Sequence, residues 1–191
     1  MWLDVPAMII NGRFVVPVRF ISETFGATVG WIDGKRQVTI KGAAPLYIAD
    51  HGFENEINIY GLEQSGDNGT GDVIDRAFDG NMKTTWTFST KHENGAWGIF
   101  DFGFARDIKE MYLAFAFGKA RVHTFDIYVS NEGINYTLAK ENLSSSGQTE
   151  EFQKFEIGAR GRYVKLVGKG NNLAGKEEWN NYFEMTFIQE K

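Results

Sequence analysis

Trp97-Gly98-Ile99-Phe100-Asp101-Phe102 sets Phe100 and Phe102 on one side of an extended chain and Asp101 on the other, a two-residue period that suits a strand. The same alternation, or an apolar run of strand length, returns at Glu110 to Phe117, Thr124 to Val129, Phe152 to Ile157, Arg162 to Val167 and Phe183 to Ile188. Gly, Asn and Ser gather between these runs, as in Ser130-Asn131-Glu132-Gly133, and no long helical period intervenes. Six or more short strands of this kind predict an all-β domain, an antiparallel β-sandwich of jelly-roll type.

Upstream the pattern differs. Met8-Ile9-Ile10 and Arg13 to Val16 flank Asn11-Gly12, a pair that supplies the positive φ angles of a hairpin turn. Pro17 suits a helix start, Phe20, Ile21, Thr24 and Phe25 share a helical face, and Gly26 suits its end. A second hairpin follows, Thr28 to Ile32 and Gln37 to Ile40, with the turn expected at Asp33-Gly34. Residues 1–42 therefore read as a small α+β module, and Gly42-Ala43-Ala44-Pro45 as a short junction to the main domain at 43–191.

The chain has 191 residues with 42% hydrophobic and 15% aromatic content, enough apolar mass for one full core plus a small extra unit. Net charge is −5 and no Lys/Arg run occurs, which disfavours nucleic acid and anionic membranes as partners. With no cysteine, disulfide frameworks, thiolate metal sites and cysteine nucleophiles are all excluded. No window approaches the ~18 apolar residues of a membrane span, so no membrane insertion is expected. Met1 to Pro6 lacks the features of a signal peptide; an exported protein would carry its signal outside this chain.

Ala77-Phe78-Asp79-Gly80-Asn81-Met82-Lys83-Thr84-Thr85-Trp86 is the richest cluster of oxygen ligands. A hard divalent ion seeks about six to eight oxygens, and a tight loop with carboxylate, amide, hydroxyl and carbonyl groups offers that chemistry. The same residues also read as a capped turn leading to a core tryptophan. The nearby Gly66 to Asp72 lacks EF-hand spacing and reads as a surface loop.

Two resemblances follow from the motifs. Asn11-Gly12-Arg13, Val16-Pro17-Val18-Arg19-Phe20-Ile21-Ser22-Glu23, Gly26-Ala27 with Val29 and Trp31, and Val38-Thr39-Ile40 together resemble the copper amine oxidase N-terminal-like, or stalk, module. That implies a spacer or surface-attachment unit; residues 1–42 contain no His to hold copper. AFDGNMKTTW, WGIFDFG, FDIYVSNEG with Asn135-Tyr136, GRYVKLVGKGN and Phe183-Glu184-Met185, in that order, resemble the F5/8 type C, or discoidin-like, domain of the family 32 carbohydrate-binding type. The resemblance implies a structural Ca2+ held by the Ala77 carbonyl, Asp79, Asn81, Thr84 and Glu184.

Sugar recognition needs a flat apolar surface and fixed polar groups for hydroxyls. The loop Gly118 to His123 gathers Lys119, Arg121 and His123, and the resemblance puts Arg121 first among sugar contacts and His123 second. Asn171, Trp179, Asn180 and Tyr182 form the other amide- and aromatic-rich segment, with Trp179 as a candidate platform. Lys119, Arg121, Lys169 and Lys176 near these loops suit a uronic-acid polysaccharide such as alginate or pectin, and equally read as ordinary solvated cations; neutral galactose-type or N-acetylated sugars are the other reading. His51 and His92 read as single solvated or hydrogen-bonded histidines.

No nucleophile elbow, zinc-protease motif or phosphate-cradling loop occurs. Glu54/Glu56 and Glu177/Glu178 lack the burial expected of a glycosidase acid, and a lyase drawn from Arg121, His123 and Tyr182 would rest on proximity alone. The expected function is that of a non-catalytic carbohydrate-binding module beside a catalytic domain of a larger exported, secreted or cell-surface enzyme. The competing class is a cell-surface adhesion module for protein or lipid.

Overall fold

A computed structural model describes residues 8–10, 12–24, 27–42 and 44–191. The chain divides into two compact units, Met1–Ala44 and Pro45–Lys191.

In the first unit β1 (Met8–Ile10) pairs antiparallel with β2 (Arg13–Val15), and Gly12 takes the positive φ, +73°, that the tight connection needs. The helix α1 spans Val18–Thr24 directly after Pro17. Asn11, Phe25 and Gly26, assigned above to the turn and the helix end, lie outside the described residues. β3 (Thr28–Ile32) and β4 (Gln37–Lys41) form the second hairpin, but its turn differs from the expected Asp33-Gly34 pair. Ile32 faces Gln37, so four residues connect the strands: a 3-10 turn over Asp33–Lys35, then Arg36 at φ +48°. A turn followed by one left-handed residue also matches the strand twist, and here an arginine occupies the strained position instead of a glycine.

The second unit is an antiparallel β-sandwich. Its strands are β5 (Gly61–Gln64), β6 (Trp86–Ser89), β7 (Trp97–Phe115), β8 (His123–Ser130), β9 (Thr137–Ser144), β10 (Gln153–Asn171) and β11 (Trp179–Gln189). They hydrogen-bond in the order β6-β11-β7-β10-β8-β9, with β5 also on β7. Two pairs of expected strands are fused. Trp97 to Phe102 and Glu110 to Phe117 belong to β7, which ends at Phe115, and Phe152 to Ile157 and Arg162 to Val167 belong to β10. The fusion runs through bulges, because the register between the two shifts at Glu156/Ala159 and Gly161/Tyr163 while the ladder continues. The first part of β7 is flanked by β5 and the second by β11, so one strand serves two neighbours on the same side.

Alternation along Trp97–Phe102 is obeyed: Gly98, Phe100 and Phe102 are buried, and their neighbours are half-exposed. Gly98 is required by packing, since a Cβ there would lie 2.4 Å from the Trp86 ring. Trp86 is fully buried, stacks on Phe88 at 4.3 Å and meets Phe100 and Tyr182, in a core that also holds Phe115, Phe125 and Phe187. This aromatic core, at the ~25 cal/mol per Å² of buried apolar area, is what holds the two layers together.

Candidate functional site

One end of the sandwich is built from three connections: Ala116–Val122 between β7 and β8, 145–152 between β9 and β10, and 172–178 between β10 and β11. They are tied to one another. Val122 N donates to Asn172 Oδ1 at 2.8 Å and Asn172 N donates back to Val122 O. Gly118 lies against the next loop so closely that a Cβ would sit 2.2 Å from the Thr149 carbonyl oxygen.

At the start of the first loop Phe117 has φ +59°, a left-handed conformation that costs a bulky residue about 1–2 kcal/mol. Phe117 O accepts from both Ala120 N and Arg121 N, which closes the turn. The chain thereby folds Arg121 back over Phe117, and its guanidinium carbon lies 4.3 Å from the ring centroid. Phe117 remains 51% exposed. Arg121 Nη1 donates to Asn181 Oδ1 at 2.7 Å, and Asn181 Nδ2 donates to Thr87 Oγ1 at 3.0 Å. Arg121 Nε is buried and has no hydrogen-bond partner among the described residues; desolvation lowers the guanidinium pKa from its ordinary value. A half-buried cation without a carboxylate partner, stacked on an exposed aromatic ring, offers a sugar ring its stacking surface and an acidic group its counter-charge.

The other predicted residues fall into two groups. Lys119 is exposed in the same loop, and Trp179 is half-buried at the start of β11, two residues before Asn181 and on the same side of the strand. Asn171 spends its amide on Lys176 O, Trp179 O and Leu173 N, so it shapes its loop. His123, Asn180 and Tyr182 have no exposed surface, which removes them from direct contact with a ligand. His123 stacks on Phe115 at 5.4 Å and faces the Ala116 carbonyl through Nε2; burial pushes it down to about 4. Asn180 Oδ1 accepts from Gly170 N, and the Tyr182 ring belongs to the core, where burial raises its pKa. Their strands run two-faced here, and the polar type of a residue does not reveal which face it takes.

Phe117 and Asn181 were missed. Phe117 closes an apolar run, Phe115-Ala116-Phe117, and so reads as strand; only the Gly118 after it hints at a turn. Asn181 lies in Asn180-Asn181, where one amide braces the core and the other meets Arg121.

The oxygen-rich loop is compact. Thr84 Oγ1 donates to Asp79 Oδ2 at 2.8 Å and lies 2.9 Å from Asn81 O, Asn81 N reaches Asp79 Oδ1 and Glu184 Oε1, and Ala77 is buried. Asp79 carboxylate, Thr84 hydroxyl, Asn81 carbonyl and Glu184 carboxylate thus converge, a set of hard oxygens that suits calcium. Among the described residues no group of three or more His, Cys, Asp or Glu side chains is disposed to hold a metal. His51 bridges the next carboxylates, with Nε2 at 3.2 Å from Glu184 and Nδ1 at 2.9 Å from Glu56. Hydrogen bonding to Glu184, more than to Glu56, raises its pKa against the opposing effect of burial. Glu56 is more buried than its loop position suggested. Desolvation works to raise its pKa, yet bonds from Thr186, His51 and Phe53 hold it below the usual range, unlike a glycosidase acid. His92 packs on Gly66, and its Nδ1 accepts from Asn94 N. The Gly66–Asp72 loop is internally bonded, Asn68 Nδ2 to Asp72 Oδ2 at 2.6 Å, and Asp72 also pairs with Arg76.

A β-sandwich that leaves its core aromatic and presents polar loops around an exposed ring has the architecture of a ligand-binding module. The F5/8 type C domain matches residues 61–186, and the chain belongs to that family. Residues 1–40 match the copper amine oxidase N-terminal domain. No curated protein matches the chain. Among solved structures, the CBM32 of AlyQ in complex with 4,5-unsaturated mannuronic acid is 24% identical with a TM-score of 0.62, covering 71% of this chain and 98% of that one. A pectin-binding carbohydrate-binding module is 23% identical at 0.62, covering 71% and 94%. CpGH89 from Clostridium perfringens, in complex with GlcNAc-alpha-1,4-galactose, is 18% identical at 0.55, covering 72% of this chain and 15% of its own. At these identities the likeness establishes the shared fold.

Proposed function

We propose that the second unit is a non-catalytic carbohydrate-binding module that holds a uronic-acid polysaccharide, of the alginate or pectin kind, at the Phe117–Arg121–Asn181 end of the sandwich. The observation that carries this reading is the Arg121 guanidinium stacked over the exposed Phe117 ring with a neutral amide, and no carboxylate among the described residues, as its partner. An acidic sugar laid on that surface supplies the carboxylate that the arginine lacks. Lys119 and the half-buried Trp179 extend the surface. The AlyQ and pectin-binding structures agree in ligand class.

In this reading the module acts outside the cell, beside a catalytic domain whose local concentration on the polymer it raises, and residues 1–42 serve as its spacer. A calcium ion held by Asp79, Thr84, the Ala77 and Asn81 carbonyls and Glu184 braces the loop before β6 without touching the sugar. Affinity electrophoresis on alginate, pectin and galactan tests the function. Retardation on an acidic polymer, lost in Arg121→Ala, is expected; unretarded migration on all three would sink it.

A further inference from the structure

The second unit has five arginines, and their partners divide them sharply. Arg76 pairs with Asp72, Arg160 with Asp107, and Arg162 binds Asp101 through both Nε and Nη2 at 2.8 Å. Arg106 and Arg121 have no carboxylate partner among the described residues. These two share everything else. Each guanidinium covers an exposed phenylalanine, at 3.6 Å over Phe104 and 4.3 Å over Phe117. Each sends Nη1 to a side-chain amide oxygen, Gln189 Oε1 at 3.0 Å or Asn181 Oδ1 at 2.7 Å. In each the Nε is buried without a hydrogen-bond partner.

The backbone makes this second arrangement possible. β7 faces β10 through Arg106–Gly161 and then Asp101–Tyr163, so residues 102–105 oppose Arg162 alone. Gly103 turns the bulge at φ +76°, and Phe104 is pushed out to 54% exposure. A half-buried guanidinium whose one side-chain acceptor is a neutral amide oxygen lacks a counter-charge, and a carboxylate laid on its solvent side is the group that would supply one. Because Arg106 and Phe115 lie on one strand, the two arrangements are about 30 Å apart at ~3.3 Å per residue.

We propose that Phe104 and Arg106 form a second binding site for a carboxylate-bearing sugar, which makes the module bivalent toward a uronate chain. The ligand class rests on the reading of the Arg121 site, but the site itself stands on its own geometry. Bivalence converts binding at the second site into an intramolecular event and raises avidity without new contacts at the first.

Titration calorimetry and arginine Nε–H resonances, with trigalacturonate, trimannuronate and neutral galactotriose as probes, test the proposal. The wild type should bind two equivalents of an acidic trimer, and Arg106→Gln, Phe104→Ala and Arg121→Gln one each, with every variant keeping a cooperative melting transition. The Arg106 Nε–H signal should move with the acidic trimer and stay in place with galactotriose. One equivalent in the wild type, lost in Arg121→Gln and kept in Arg106→Gln, overturns the second site and leaves the first. Loss confined to Arg106→Gln and Phe104→Ala does the reverse. An equal response to galactotriose overturns the carboxylate class, and no binding of either acidic trimer overturns both sites.

Discussion

Arg121 Nη1 lies 2.7 Å from Asn181 Oδ1, joining the β7–β8 loop to β11 across 60 positions of sequence. The contact fixes the guanidinium plane over Phe117, so the orientation of the proposed sugar surface depends on a residue that is itself buried. Asn181→Ala should weaken binding of an acidic oligosaccharide roughly tenfold and destabilise the fold by about 1–2 kcal/mol, because Thr87 also loses a partner. Calorimetry and urea melts read the two effects separately. Unchanged affinity would show that Arg121 does not need this contact.

Phe117 carries backbone strain and an exposed ring at once. Phe117→Gly should stabilise the fold by up to about 1 kcal/mol by relieving the left-handed strain, while abolishing most sugar binding. Phe117→Ala should lose the same binding without the gain in stability. Opposite signs for stability and affinity in the glycine variant are the diagnostic result.

His123 adds a pH dependence. Its folded pKa, about 4, lies below the ordinary ~6.5 of an unfolded histidine, so the unfolded state binds the proton first as pH falls. The contribution is therefore neutral above pH ~6.5, destabilises progressively on acidification, and levels off below about 4, with a slope no steeper than ~1.4 kcal/mol per pH unit. His123→Gln should flatten the acid limb over that window relative to wild type in urea denaturation. Identical slopes would remove His123 as its source.

Calcium, if bound at the Asp79 loop, stabilises the folded state by mass action. EDTA should lower the melting temperature, and excess calcium should restore it. Asn81→Asp puts one more negative charge beside the cluster, where the side-chain oxygen now accepts from Lys83 N, and should tighten calcium binding by about tenfold through charge alone. A melting temperature indifferent to EDTA and calcium, in wild type and in Asn81→Asp, would argue that the loop is held by its own hydrogen bonds.

Gly170 anchors the loop before β11. Its φ is +86°, and a Cβ there would lie 1.9 Å from the Glu177 carbonyl oxygen, a backbone atom that cannot swing aside. Gly170→Ala should cost about 2–4 kcal/mol, seen as a lower urea midpoint.

Strand content was legible wherever alternation was strong, as in Trp97–Phe102, because the core enforces it directly. β5 and β6 escaped notice because they are four residues each, and β9 because TLAKENLS lies at a sheet edge where polar residues are free to occupy both faces. The candidate site was half legible. Arg121 was marked by its loop, whereas His123, Asn180 and Tyr182 look equally polar or aromatic and turn inward.

By itself the sequence determined the β-sandwich class, the small α+β unit ahead of it and the absence of cysteine chemistry, since periodicity, turn residues and composition are local properties. Only the tertiary structure decided which arginines keep a carboxylate and which rest on an exposed phenylalanine. That choice depends on bulges, one left-handed residue and pairings between distant strands, and none of these leaves a periodic trace in the chain.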